Sequence, residues 1–161
     1  MTTTHNADNA DLVGERTPRF NHVAMSVPSD LLDVQGRADL CRFYGDVFGF
    51  QELPTMTEDR RRLVFGCYTI EQFVFLIADD TPMTCPRLDH YGFSVGSEAE
   101  LDAMLERARA FKRDDARVDI VEKSVDDHGM LEITSFYVGY LLPMMVEVQW
   151  WNFKQPSGAS A

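Results

Sequence analysis

Two short segments of the sequence alternate large apolar residues with small or polar residues, the pattern of a β-strand with one buried face. They read Asn-His-Val-Ala-Met-Ser-Val over 21–27 and Asp-His-Tyr-Gly-Phe-Ser-Val over 89–95. One face of each strand is large and apolar and suits burial under a helix. The other face carries a histidine, His22 or His90, beside residues too small to fill space. A single such histidine is more often structural, but a matched pair in an internal repeat favours two ligands that line a cavity.

The hydrophobic periodicity predicts the same order after each of these strands, namely one helix and then three further strands. The first helix, about Arg37–Phe48, carries apolar residues at positions i, i+3, i+4, i+7 and i+8, and Gly49 suits its end. Ser97 followed by Glu100 forms a capping box that predicts the start of the second helix, which runs to about Lys112. The remaining predicted strands are Phe50–Met56, Arg62–Cys67 and Gln72–Ala78 in the first half, and Arg117–Lys123, Leu131–Val138 and Met144–Trp151 in the second.

Two such βαβββ units predict an α+β fold in which paired, curved, mixed sheets surround a central pocket, with the helices outside. We expect a single domain over residues 19–152, with module one at 19–79 and module two at 88–152. The polar segment 1–18 and the segment 153–161 are predicted to be disordered tails. A two-layer sandwich without a shared pocket is the alternative that the same pattern allows.

The composition narrows the classes of partner. The chain has 161 residues and a formal net charge of −11, which disfavours nucleic acid and anionic membrane surfaces. No apolar run approaches the roughly 18 residues of a membrane span. The three cysteines are too few and too scattered for a disulfide framework, so we expect a reduced, cytoplasmic protein. A small-molecule substrate is compatible with this charge, because a pocket can differ from the average surface.

The last predicted strand supplies a carboxylate that fits the two histidines. Glu147 lies between two valines, and an acid in such a place is rarely buried without a partner. A solvent-facing glutamate on an edge strand is the simpler interpretation. If His22, His90 and Glu147 converge, they form the two-histidine, one-carboxylate arrangement that leaves positions on a metal open. That donor set suits Fe(II) best, and Mn(II), Co(II) or Zn(II) would also bind.

The chain resembles the vicinal-oxygen-chelate superfamily, which includes glyoxalase I, methylmalonyl-CoA epimerase, fosfomycin-resistance transferases, bleomycin-binding proteins and extradiol dioxygenases. The resemblance spans about Arg19–Asn152. It is carried by the two histidine strands, by the helix end Phe43–Phe50 and by Val-Glu-Val at 146–148. It implies the paired βαβββ fold and a divalent metal held by the two histidines and Glu147. The superfamily hosts many reactions, so the fold does not fix the chemistry.

Two further comparisons within that superfamily narrow the reaction. Its four-ligand isomerases carry Glu or Gln on the last strand of module one, where this chain has Phe75. Its extradiol dioxygenases carry a His, a Ser-Phe-Tyr and the ligand Glu, spaced here as His128, Ser135-Phe136-Tyr137 and Glu147 without a gap. By this resemblance, Tyr137 would hydrogen-bond a substrate oxygen and His128 would position the substrate. By residue type alone, they would be a strand aromatic and a loop residue.

The resemblance therefore implies a metal-dependent enzyme, and foremost an extradiol-type dioxygenase, an oxidoreductase acting on an oxygenated aromatic molecule with neighbouring oxygens. The chain lacks the acid/base histidine of those dioxygenases, and many of them have four modules. The alternatives are a glyoxalase-like isomerase or lyase, a fosfomycin-type thiol transferase and a non-catalytic antibiotic-binding resistance protein. A homodimer is one assembly that the superfamily allows. The substrate pocket is expected at Phe75, Tyr140, Met145 and Trp151, although such residues more often belong to a core.

Three other features of the sequence are predicted to have no catalytic role. Paired acids such as Asp126-Asp127 lie in predicted turns and are expected to be solvated. The run Arg60-Arg61-Arg62 is interpreted as a hairpin-turn charge cluster, with contact to an anionic substrate as the less favoured alternative. Cys85 has no evident activating partner and is not assigned as a nucleophile.

Overall fold

The structure is a computed structural model that describes residues 19–154. The predicted tail 1–18, and residues 155–161 of the predicted tail 153–161, lie outside the described residues. No helix within 19–154 is both long and apolar enough to cross a membrane. The helices and strands are β1 (His22–Val27), α1 (Val34–Phe48), β2 (Gln51–Glu52), β3 (Arg62–Gly66), β4 (Phe73–Ala78), β5 (His90–Ser94), α2 (Glu98–Asp114), β6 (Asp119–Asp127), β7 (Leu131–Gly139) and β8 (Met145–Phe153).

The strands form two four-stranded mixed sheets, one for each half of the chain. Sheet A has the order β1-β4-β3-β2, and sheet B has the order β5-β8-β7-β6. In each sheet the first strand of the module lies parallel to the last, and the other pairs are antiparallel. The predicted α+β fold of two βαβββ modules is confirmed. Both β1 and β5 are edge strands of their sheets.

The helix ends follow the capping chemistry of the sequence. The Asp33 carboxylate accepts two backbone N–H bonds from the first turn of α1, so this helix begins before the predicted Arg37. Gly49, at φ 77°, ends it in the left-handed conformation that glycine adopts without strain. In α2, Ser97 Oγ accepts from the Glu100 N–H, and the Glu100 carboxylate accepts from the backbone N–H just before the cap. The predicted start of α2 is therefore confirmed.

One hydrophobic core spans both modules and lies around the two helices. Phe43 of α1 stacks on Tyr140, in the connection between β7 and β8, with ring centroids 4.4 Å apart, and meets Phe111 of α2 edge-on at 5.0 Å. Arg107 of α2 donates a hydrogen bond to the Val47 carbonyl at 2.9 Å. Burying a large apolar side chain such as that of Phe43 contributes about 1.5–3 kcal/mol to stability. The modules thus pack together through their helices.

The strand predicted over Phe50–Met56 is wrong for most of its length. Only Gln51–Glu52 pairs with β3, and Pro54–Met56 forms a single helical turn. Pro54 has no N–H to donate to a sheet ladder, and its fixed φ suits the first position of a helical turn. In module two, β8 extends to Phe153, one residue beyond the predicted domain edge.

Candidate functional site

His90 and Glu147 lie side by side on the face of sheet B that points away from the core. β5 and β8 are parallel neighbours, and their register places Gly92 opposite Glu147. His90 Nε2 and Glu147 Oε2 are 3.3 Å apart. A Cβ added at Gly92 would lie 3.5 Å from Glu147 Oε2, so a larger side chain there would enter the space of the carboxylate. The absence of a side chain at Gly92 thus leaves room for the Glu147 carboxylate beside His90.

Glu147 is only 6 % exposed although it faces away from the core. A buried carboxylate is costly unless a cation or hydrogen-bond donors compensate it. The valines on both sides of Glu147 are fully buried in the core, which fixes the opposite orientation of its side chain. The alternative of a freely solvated glutamate is therefore wrong.

The imidazole of His90 is oriented so that Nε2 is its available ligand atom. Nδ1 lies 2.8 Å from the Leu88 carbonyl oxygen, which can only accept, so Nδ1 carries the proton. In the neutral ring, Nε2 then presents a lone pair toward the carboxylate of Glu147. Two acceptors 3.3 Å apart repel each other unless a cation sits with them, either a proton on Nε2 or a metal ion. Imidazole and carboxylate donors in this orientation fit a divalent transition metal.

Tyr137 adds a phenol to the same place. It pairs directly with Glu147 in the antiparallel register of β7 and β8, and its ring meets the His90 ring edge-on with centroids 5.0 Å apart. Hydrogen bonding to the Glu147 carboxylate, followed by burial, raises the pKa of Tyr137 above its usual value. The phenol therefore remains a proton donor throughout the neutral range.

His22 does not join this group within the chain. It lies on the face of sheet A away from the core, where its ring stacks on Phe73 at 4.7 Å and its Nδ1 lies 2.7 Å from Asn21 Oδ1. Among residues 19–154, no three His, Cys, Asp or Glu side chains are grouped closely enough to hold a metal. The three expected ligands therefore do not converge inside one chain.

The sheet registers make Phe75 the counterpart of Glu147. In sheet A, His22 pairs with Phe73 and Ala24 pairs with Phe75. The equivalent pairs of sheet B are His90 with Met145 and Gly92 with Glu147. Phe75 thus occupies in module one the position that Glu147 occupies in module two. It lies on the same exposed face of sheet A as His22, as the repeat predicted.

Two of the expected pocket residues share the face of sheet B that carries Glu147. Met145 and Trp151 alternate with the core residues of β8, and Met145 pairs with His90 in the register. Met145 is nearly buried, whereas Trp151 is 44 % exposed and its Nε1 donates to Gln149 Oε1. On this face of β8, Met145 therefore precedes the carboxylate, and Gln149 separates the carboxylate from Trp151.

Tyr140 was expected to line the pocket, and this expectation is wrong. It is 1 % exposed, its ring packs in the helix core, and its hydroxyl donates to Asp115 and accepts from Arg117. Burial, followed by the hydrogen bond to Asp115, raises the pKa of Tyr140 to about 12. This tyrosine joins the end of α2 to the β7–β8 connection.

His128 lies in the turn between β6 and β7, where its backbone N–H donates to the Leu131 carbonyl. Tyr137 lies six residue steps along β7 from Leu131, a contour length of ~20 Å. The structure therefore does not bring His128 together with Tyr137 and Glu147. The sequence spacing of His128 and Tyr137 matches that of the dioxygenases, but the residues between them form an extended strand, which keeps the two side chains apart.

The cysteines are unsuited to nucleophilic chemistry. All three described cysteines are free thiols. Burial raises the pKa of Cys41 to about 11 and that of Cys67 to about 12, and it also raises the pKa of Cys85. Each thiol is therefore protonated at neutral pH. A protonated thiol is a poor nucleophile, as expected for Cys85.

The groups that orient the two histidines were missed by sequence reasoning. The Leu88 carbonyl fixes the His90 ring, and a backbone carbonyl carries no residue-type signal. Asn21 beside His22 is a polar side chain directly before the histidine, and the repeated strand pattern could have pointed to it. Such outer partners set the tautomer of a ligand histidine.

Comparison with solved structures identifies the fold. The chain is similar to lactoylglutathione lyase from Agrobacterium tumefaciens (18% identity, 84% of this chain and 96% of that one, TM-score 0.58). It is also similar to a glyoxalase/bleomycin resistance protein/dioxygenase family enzyme from Burkholderia phytofirmans (14% identity, 81% and 96%, TM-score 0.56). A third is a variant of the fosfomycin resistance protein FosX from Listeria monocytogenes, complexed with Mn(II) and dihydroxypropylphosphonic acid (14% identity, 82% and 91%, TM-score 0.53).

No protein-family profile and no curated protein matches the sequence. At these identities the similarity establishes the fold and leaves the reaction open. The chain has the vicinal-oxygen-chelate fold, and the resemblance seen in the sequence is confirmed at that level.

Proposed function

We propose that the protein is a metal-dependent enzyme that binds a small substrate through two neighbouring oxygen atoms. The observation that supports this most directly is that His90 Nε2 lies 3.3 Å from Oε2 of the largely buried Glu147, which sets an imidazole and a carboxylate side by side as possible ligands. A divalent ion bound there would polarise substrate oxygens and lower the pKa of a bound hydroxyl. In this proposal His90 and Glu147, both in module two, are two of its ligands.

The third ligand in this proposal is His22 of the partner subunit in a homodimer. β1 and β5 are both edge strands, and an edge strand presents backbone donors and acceptors for pairing. On β1 the Ser26 carbonyl already accepts from the Met83 N–H, so pairing would use the part of the strand before Ser26. Pairing these edges between two copies would bring the exposed face of sheet A, with His22 and Phe75, opposite Glu147. A twofold dimer would then contain two equivalent sites, because the same contacts occur twice.

The reaction that we favour is an extradiol-type dioxygenation with Fe(II), on an oxygenated aromatic substrate. Three protein ligands leave neighbouring positions open for a chelating substrate and for oxygen. Tyr137 lies beside Glu147 with a protonated phenol, so it can hydrogen-bond a substrate oxygen and help to orient it. Phe75, which faces the site across the proposed dimer, would exclude water from it.

An oxygen electrode tests this reaction. Protein loaded anaerobically with Fe(II) is offered a panel of catechols and hydroquinones, and oxygen uptake with at least one of them is expected. Matched reactions with Mn(II), and without metal, establish which ion supports activity. Conversion of a glutathione hemithioacetal or an epoxide without oxygen would instead favour isomerase or transferase chemistry. Tight ligand binding by metal-free protein, with no turnover of any compound, would favour a binding protein.

A further inference from the structure

Sheet A carries a depression of about 260 Å³ on the side of the sheet away from the core. The register of β3 with β4 places Arg62 beside Ile77 and Val64 beside Phe75 on this face. The lining residues are Glu58, Arg61, Arg62, Phe75, Ile77 and Ala78. The depression therefore combines an apolar floor from β4 with a charged wall from the turn before β3.

The apolar floor is open to ligand. Ile77 is 39 % exposed, which is unusual for a branched aliphatic residue in the middle of a sheet. The Phe75 ring lies two residues earlier on the same face. Together they offer a flat apolar surface that suits a planar or aliphatic body.

The charged wall has spare hydrogen-bond donors. Arg61 and Arg62 share a single carboxylate, that of Glu58, with N–O distances of 3.2 and 3.7 Å. Each guanidinium has five N–H donors, so one carboxylate leaves most of them free for another anion. Arg60 differs, because it pairs with Asp33 at 3.3 Å and does not line the depression.

We propose that this depression binds the carboxylate of a small acid whose aromatic or aliphatic body rests on Phe75 and Ile77. A guanidinium recognises a carboxylate through paired, charge-assisted hydrogen bonds. The rest of the protein disfavours anions, since its net charge is −11, and the arginine wall provides a local exception. Two arginines and one glutamate line the depression, which leaves one positive charge that a single ligand carboxylate would neutralise.

This assignment also narrows the substrate of the enzyme. Phe75 is the register counterpart of Glu147, so in the proposed dimer the depression adjoins the metal site, and this part rests on the proposed function. The substrate would then carry a carboxylate in addition to its two chelating oxygens. The acid group would bind the arginine wall while the oxygens approach His90 and Glu147.

The test uses benzoate and the full chain prepared without metal, so that it does not depend on the metal site. Binding is followed by NMR titration, with benzamide as the neutral compound of the same shape. We expect saturable binding of benzoate and at least tenfold weaker binding of benzamide, because a charge-assisted hydrogen bond is stronger than a neutral one. Equal affinities for the two compounds, or no benzoate binding, overturn the proposal.

Three substitutions locate the site. Arg62→Gln should weaken benzoate binding about tenfold, since about 1.4 kcal/mol corresponds to tenfold, while Arg60→Gln should leave it unchanged. Glu58→Gln should strengthen it, because a competing carboxylate is removed. Unchanged far-UV circular dichroism and thermal midpoints establish that each variant is folded. Equal losses in Arg60→Gln and Arg62→Gln overturn the assignment.

The metal content of Arg62→Gln separates this proposal from the metal site. We expect wild-type metal content together with weak benzoate binding. A wild-type protein that retains metal but binds benzoate no better than benzamide would overturn the acid pocket alone. Absent metal in the wild type, with benzoate binding intact, would contradict the proposed function alone.

Discussion

Glu147 and Phe75 occupy equivalent positions in the two sheets, one opposite Gly92 on β5 and the other opposite Ala24 on β1. The repeat thus presents a carboxylate on one sheet and a phenyl ring at the matching position on the other. A chelating enzyme with three protein ligands needs such an asymmetry, because a fourth ligand would fill a position required by substrate or oxygen.

Replacing Phe75 by Glu should restore the missing carboxylate. We expect Phe75→Glu to retain metal at least as well as the wild type and to lose oxygen-dependent turnover, because the added ligand occupies an open position. Ile70→Glu is the control, since it adds the same charge at an exposed apolar residue in the connection between β3 and β4 of the same sheet, outside the depression. Metal content by elemental analysis and oxygen uptake give the two readouts. Undiminished oxygen uptake in Phe75→Glu would place Phe75 away from the metal.

Removing the Tyr137 hydroxyl should affect turnover and leave binding nearly intact. Hydrogen bonding and proton transfer by a positioned group contribute about 10²–10⁴ in rate, so Tyr137→Phe should lower kcat within that range. Metal content and substrate KM should stay close to wild type. Because the pKa of Tyr137 is raised, the phenol keeps its proton up to above about pH 10, the usual tyrosine value. A kcat that is the same in both proteins would remove Tyr137 from the mechanism.

The alternation of residues along strands was enough to predict which candidate side chains share a face of sheet B. It placed His90 and Glu147 on one face of their strands, and the register then paired Glu147 with Tyr137. It could not predict where His22 would lie, because which faces of two modules meet is decided by tertiary and quaternary packing. The pattern has no information on that choice.

Tyr140 shows a second limit of sequence reasoning. An aromatic residue near the end of a strand looks the same whether it lines a pocket or fills a core. Here Phe43 and Phe111 surround its ring, and its hydroxyl finds polar partners from another part of the chain. Likewise, the spacing of His128 to Tyr137 matched a known pattern. In the structure, however, His128 lies in the β6–β7 turn and Tyr137 lies toward the other end of β7.

A polar cluster at the end of α2 should make stability sensitive to acid. Arg117 bonds to Asp39 and Asp115, and these hydrogen bonds hold the pKa values of both carboxyls below their usual range. A lowered folded-state pKa stabilises the protein above the unfolded value, near pH 4, and this stabilisation is lost as the pH falls through the folded values.

Arg117→Gln should therefore lower the urea midpoint at pH 7 and lower it less at pH 2.5, because pH 2.5 lies below the usual carboxyl pKa and part of this stabilisation is already lost there. Exposed Arg113, in the last turn of the same helix, provides the control Arg113→Gln. Denaturation followed by circular dichroism at both pH values measures the difference. A penalty for Arg117→Gln that is equally large at both pH values would show that its packing matters more than its ion pairs.

A shared site predicts complementation between two inactive variants. In the proposed dimer, His22→Ala and Glu147→Gln each damage both sites of their own homodimers. A mixed dimer contains one intact site, formed by His22 of one subunit with His90 and Glu147 of the other. Random exchange of equal amounts should restore about one quarter of the wild-type metal content and activity. No recovery after verified subunit exchange would contradict the shared site.

The metal content of the purified protein tests most directly whether His90 and Glu147 hold a metal ion. Wild type, Glu147→Gln and Asp126→Asn are purified without chelators, dialysed against the same trace of Fe(II) or Mn(II), and measured by elemental analysis. Asp126 is the control because it is an exposed acid on β6, at the opposite edge of the same sheet from β5. Removing an outer partner of a ligand costs roughly 10–100-fold in metal affinity, and losing the ligand itself should cost more. We predict that Asp126→Asn retains the wild-type amount and Glu147→Gln retains almost none, whereas equal metal content in the two variants would contradict the account.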